Sequence, residues 1–180
     1  MPSDHLTVTR SALLRGGSDA NFREFLHAFM VFARRVDAVR ATLAEQIGVT
    51  PPQYEMLSHI RQWQGTPGVT VRRLAEELHC TGAFVTTEIG KLRNAGLVVK
   101  RKDPADARRI LLRLSARCER ALQVIAPVQS QLNDLLFASI TPEAFSLLRE
   151  LMPRLAGDGD RAVAMAAVIS TPAGRRAGAA

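Results

Sequence analysis

Apolar residues recur at nearly 3.6-residue spacing from Phe22 onward: Phe22, Phe25, Leu26, Phe29, Ala33, Val36 and Leu43. Arg23, Arg34, Arg35, Asp37 and Arg40 fill the other sides. This pattern predicts a long first helix, capped by Ser18 or Asp19 and ending near Gly48. Thr50-Pro51-Pro52-Gln53 predicts a second helix, because threonine caps, proline suits the first turn and glutamine completes a capping box. It runs through Tyr54, Leu57, Ile60 and Trp63 and stops at Gly65-Thr66-Pro67-Gly68. Thr70 opens a third helix with Val71, Leu74, Ala75 and Leu78 facing inward. After a tight turn at residues 80–82, Thr81 or Cys80 opens a fourth, with Phe84, Val85, Ile89 and Leu92 inward and Gly96 as a left-handed cap.

Beyond Leu97 the period changes. Residues 98–102 and 109–114 read as strands, the second placing Ile110, Leu112 and Leu114 on one face and Arg109, Leu111 and Arg113 on the other. Asp103-Pro104-Ala105-Asp106 supplies the turn between them. Ser115 opens a long helix striped by Leu122, Ile125, Val128, Leu132 and Leu136, with Pro127 inside it as a potential kink. Thr141-Pro142-Glu143 starts a last helix through Leu147, Leu148, Leu151 and Leu155; Gly157-Asp158-Gly159 then separates an alanine-rich helical stretch at 160–169.

The order helix, turn, helix, hairpin reads as a winged helix-turn-helix, a device for laying one helix in the major groove of DNA. The expected fold is mostly α, with a two-stranded wing and a helical dimerisation region formed by the N- and C-terminal helices, the alternative being that these helices only pack on the winged domain. The expected divisions are an arm at 1–18, a dimerisation region at 19–48 with 115–169, a DNA-binding domain at 50–114 and a disordered tail at 170–180.

Charge sharpens this picture. The net charge is +7 and the pI about 10.6. Lys91, Arg93, Lys100, Arg101, Lys102, Arg108, Arg109, Arg113 and Arg117 face only Asp103 and Asp106 over the same stretch, which favours a polyanionic partner. Thr81, Gly82, Ala83, Thr86 and Thr87 are small or hydrogen-bonding, as a groove-facing helix requires, and Lys91 suits a phosphate. Arg108 and Arg109 suit the minor groove, and Lys100, Arg101 and Lys102 its flanking phosphates. Asp106 either orients Arg108 or is a plain turn residue.

No metal or cofactor is expected: Cys80, Cys118 and the four histidines have no ligand spacing. No P-loop, nucleophile elbow or dinucleotide fingerprint is present, so an enzyme is not expected. There is no membrane-length apolar run and no signal pattern, so the expectation is a cytoplasmic protein without membrane partners.

Leu74-Ala75, Leu78, Val85-Thr86, Leu92, Gly96-Leu97-Val98, Asp106-Ala107-Arg108 and Leu114-Ser115 together resemble the MarR family of bacterial transcriptional regulators, over roughly residues 20–156. The resemblance implies a homodimer on a pseudo-palindromic double-stranded operator, nucleoid-associated when bound. It also implies a repressor released by a small aromatic acid. Two departures stand out: Thr87 where the family often has arginine, and Cys118 where it favours glycine. The family's effector pocket, between dimer helices and DNA-binding domain, directs attention to His27, Met30 and Arg34 on the first helix and Tyr54, His59 and Trp63 on the second. A cation with aromatic walls suits a carboxylated aromatic ligand; the plainer alternative is core packing with surface ion pairs. Two further alternatives are nonspecific DNA compaction and a thiol-based redox response through Cys80 or Cys118.

Overall fold

The computed structural model describes residues 5–65, 68–106 and 108–170. After a 3-10 turn at Ser11–Leu13, the elements are α1 (Ala20–Ile47), α2 (Pro51–Trp63), α3 (Val71–Glu77), α4 (Gly82–Asn94), β1 (Val98–Lys102), β2 (Ile110–Leu114), α5 (Ala116–Leu136) and α6 (Pro142–Ser170). The chain forms two compact units, one up to Leu136 and the other from Phe137 onward. The fold is the expected mostly α winged helix.

Short-range chemistry sets the helix ends. Gln53 Oε1 accepts the Thr50 N–H at 3.1 Å, as the capping box requires. Thr70 Oγ1 accepts the Arg73 N–H and Thr81 Oγ1 the Phe84 N–H, both at 3.2 Å, so α3 and α4 have matching caps. Gly96 closes α4 at φ +70°, with its N–H on Arg93 O and the Leu97 N–H on Leu92 O, both 2.9 Å. That is a Schellman closure. Thr81 opens α4 as expected, but the turn before it lies earlier than expected. Its left-handed residue is His79 (φ +49°), followed by a Cys80 N–H bond to Ala75 O at 3.1 Å, while Gly82 is already helical.

The first unit has one core, in which Leu43, Met56, Leu57, Ile60, Leu74, Val85, Ile89, Leu92, Leu112 and Leu122 are almost wholly buried. It draws on every element from α1 to α5, which fixes α4 and the hairpin on one scaffold. Strands β1 and β2 pair antiparallel from Val98↔Leu114 to Lys102↔Ile110. Val69 adds a bridge on the far edge of β2, its carbonyl accepting the Leu112 N–H at 2.7 Å.

That bridge overturns the expected alternation in β2: Leu111 is buried and Ile110 is 42% exposed. Leu111 packs against Gly68, where an added Cβ would sit 3.0 Å from both Leu111 methyls. Phe84, expected inward, is exposed on the first turn of α4. Residues 142–170 form one helix, not two, with Pro153, Gly157 and Gly159 inside it. Good helix formers on both sides offset breakers that cost about 3 kcal/mol for proline and about 1 kcal/mol for glycine.

The described part of the arm folds on its own chain. The amide and hydroxyl of Thr7 donate to Asp19 Oδ2 at 2.7 and 2.6 Å, and Arg23 pairs with the same carboxylate. Asp19 is thereby occupied, and Ser18 Oγ accepts the Ala20 N–H at 3.2 Å. Residues 1–4 of the arm, 171–180 of the expected tail, and Thr66-Pro67 of the expected helix stop lie outside the described residues.

Candidate nucleic-acid interface

Thr81, Gly82, Ala83, Thr86, Thr87 and Lys91 are all exposed on α4, because Val85, Ile89 and Leu92 take the buried side of the helix. The hydroxyls of Thr86 and Thr87 donate back to Gly82 O (2.7 Å) and Ala83 O (3.1 Å). A groove of about 690 Å³ runs along Val71, Arg72, Ala75, Glu76, His79, Cys80, Gly82 and Thr86.

Sequence reasoning missed one buried charge here. Glu88 is only 7% exposed. Its Oε1 accepts from Lys91 Nζ at 2.7 Å and its Oε2 from Gln53 Nε2 at 2.8 Å. The Lys91 bond, and then the Gln53 bond, hold its carboxyl below the ordinary 4.5. The i,i+3 spacing of Glu88 and Lys91 was the available signal. Lys91 is therefore an ion-paired cation rather than a free one.

In the hairpin, two aspartates divide two arginines. Asp106 Oδ1 accepts from the Arg108 backbone N–H at 3.0 Å and from Arg108 Nε at 3.2 Å, while the Arg108 side chain is 92% exposed. The orienting pair expected from sequence is thus present. Arg109 is held differently: its Nη1 lies 3.3 Å from the buried Asp103, whose N–H donates to Arg109 O at 2.9 Å. Asp103 also accepts the Ala105 N–H at 2.9 Å. Arg109 therefore braces the turn at the tip of the hairpin. Lys100, Arg101 and Lys102 are exposed on β1, where strand geometry puts Lys100 and Lys102 on one face and Arg101 on the other. The C-terminus of α4 is pinned by Arg117 Nη1 on Ala95 O (3.0 Å) and Ser115 Oγ on Gly96 O (2.7 Å).

The six residues expected around an effector are spread over α1 and α2. Tyr54 is buried; His59 packs on Trp63 with ring centroids 5.0 Å apart; Arg73 lies 4.7 Å from the Trp63 ring centre. Burial pushes the His59 imidazole below its ordinary value. His27, Met30 and Arg34 are exposed. The ion pair joining α1 to α2 is Arg40–Glu55, 3.2 Å, which lies about 20 Å along the helix axis from His27 and about 9 Å from Arg34. A cavity of about 390 Å³ instead has Tyr54, Ser58, Arg61, Gln62, Leu122 and Gln129 as its walls.

Burial pushes the Cys118 thiol up to about 11 and raises Cys80 as well, so neither is poised as a thiolate. No group of three metal-ligating side chains and no helix long and apolar enough to cross a membrane occurs among the described residues.

A helix-turn-helix followed by a basic hairpin on one core defines a winged-helix protein of the DNA-binding class. A MarR family sequence profile matches residues 47–109. The HTH-type transcriptional regulator YsmB of Bacillus subtilis, itself uncharacterised, is 30% identical over 115 residues, covering 63% of this chain and 75% of YsmB. The transcriptional regulator HosA of Escherichia coli is 27% identical over 107 residues, 59% of this chain and 77% of HosA. The chain belongs to the MarR family of transcriptional regulators. Solved structures share its fold. A MarR protein from Peptoclostridium difficile has a TM-score of 0.61 at 21% identity, covering 85% of this chain and 96% of that one. MepR of S. aureus, solved as a DNA complex, has a TM-score of 0.60 at 17% identity, covering 74% and 97%.

Proposed function

We propose that the protein is a homodimeric, sequence-specific repressor that inserts α4 into the major groove and Arg108 into the adjacent minor groove of a pseudo-palindromic operator. The observation that carries this reading is the exposed Arg108 held by Asp106 at the hairpin, on the same scaffold as the small and hydroxyl-bearing face of α4. MepR, of the same fold, is solved with DNA. Residues 50–114 are the DNA-binding domain, and 19–48 with 115–169 the dimerisation region. Phe25 and Phe29 of α1 support the dimer: they are 58% and 39% exposed, with ring centroids 6.1 Å apart, and their own chain leaves them uncovered. α6 likewise has no buried residue. Two-fold symmetry then sets two recognition helices against two half-sites.

The effector we infer is a small carboxylated aromatic. The cavity beside Tyr54 supports this, because it offers Arg61 for a carboxylate and an aromatic wall. Such a protein acts where DNA is, in the cytoplasm at the nucleoid. The test is selection of bound DNA from a random pool, with and without a panel of aromatic carboxylates. An inverted repeat released by one acid is expected. An unenriched pool at physiological salt would instead indicate nonspecific compaction.

A further inference from the structure

The hydroxyl groups on the exposed face of α4 do not all offer the same chemistry. A threonine hydroxyl has one hydrogen and two acceptor lone pairs. Thr86 and Thr87 have already given that hydrogen to Gly82 O and Ala83 O. What remains outward is an acceptor oxygen and a methyl group, both fixed because the hydrogen bond locks χ1. Donating to a base would first require breaking a helix-internal bond.

The nearest strong donor on this face is partly engaged, the Lys91 ammonium giving one of its three protons to Glu88. Lys91 Nζ sits 2.7 Å from Glu88 Oε1, and Glu88 is held in place by Gln53 Nε2 at 2.8 Å. Guanine presents two acceptors, O6 and N7, to the major groove and calls for donors. An A·T pair presents the adenine N6 amine, which needs an acceptor, and the thymine methyl, which needs an apolar partner. It is the one pair whose major-groove edge carries both. Cytosine offers an amine without the methyl.

We propose that Thr86 and Thr87 are specificity-determining residues that read A·T pairs, each as an acceptor for the adenine amine and a methyl contact for thymine. This rests on the reading above that α4 lies in the major groove, and it adds the base class read there.

The test uses the full-length protein and the operator recovered by selection. At pairs facing α4, thymine is replaced by uracil, which removes only the methyl, and adenine by purine, which removes only the amine. Wild type is expected to lose about four-fold in affinity with uracil and about five-fold with purine. Thr86→Val and Thr87→Val keep the methyl and lose the acceptor. They should become indifferent to purine and stay sensitive to uracil. Thr86→Ser and Thr87→Ser should show the reverse. Unchanged salt-dependent binding to random duplex serves as the folding control for all four variants.

Wild-type indifference to both analogues, or G·C pairs enriched under α4, would overturn the threonine assignment while leaving DNA binding intact. Failure to enrich any sequence would overturn the operator reading and this assignment with it.

Discussion

Arg108 and Arg109 are adjacent in the chain, yet their guanidinium groups go to different places. Arg108 projects into solvent under the guidance of Asp106, whereas Arg109 turns back to the buried Asp103. Arg108→Ala should therefore weaken operator binding and reduce the slope of log K against log salt by about one, read from titrations at several salt concentrations. Arg109→Ala should act first on the hairpin itself, seen as faster amide exchange at Asp103, whose N–H donates to the Arg109 carbonyl. Asp19 gives a pH-dependent case. The Thr7 hydroxyl and then the Thr7 amide hold its carboxyl below the ordinary 3.8. A depressed carboxyl stabilises the fold above 3.8, and that contribution disappears as pH falls through the depressed value. The arm should be protected at Thr7 at neutral pH and lose protection in acid, before the core exchanges.

At the scale of elements, Gly68 is where backbone and packing coincide. Its φ of +84° disfavours any side chain, and a Cβ would press on Leu111. Gly68→Ala should lower stability by about 1–3 kcal/mol in urea melts, from left-handed strain together with overpacking. The caps at Thr50, Thr70, Thr81 and Gly96 were legible in the sequence because each acts within a few residues of itself. The burial of Leu111 was not, since it depends on the segment of Gly68 and Val69 folding back over β2. Glu88 was equally hidden: its partner Gln53 is 35 positions away, and on α4 alone a glutamate reads as a solvent-facing residue. The unbroken course of α6 was misread for a related reason, since glycine and proline lower helix propensity without dictating a stop.

For the whole molecule, the proposed assembly depends on apolar surface that a lone chain leaves in water. Phe25→Asp with Phe29→Asp should convert a dimer to a monomer by light scattering, with operator affinity falling at least about 100-fold as the two half-sites uncouple. The effector reading predicts that Arg61→Ala retains operator binding and loses release by aromatic carboxylates, measured as the shift in operator affinity on adding the acid. Helical spacing on α1 and α2 says which of the expected effector residues share a face and not how far along each helix the two touch.

The unequal burial of the two cysteines has a practical consequence. Cys118 is fully buried, which pushes its thiol up to about 11, while Cys80 is partly exposed at the entrance to α4. A maleimide dye at neutral pH should therefore attach once per chain, at Cys80. It would place a fluorophore at the edge of the groove without any engineered residue, and its emission would report occupancy of that groove in real time.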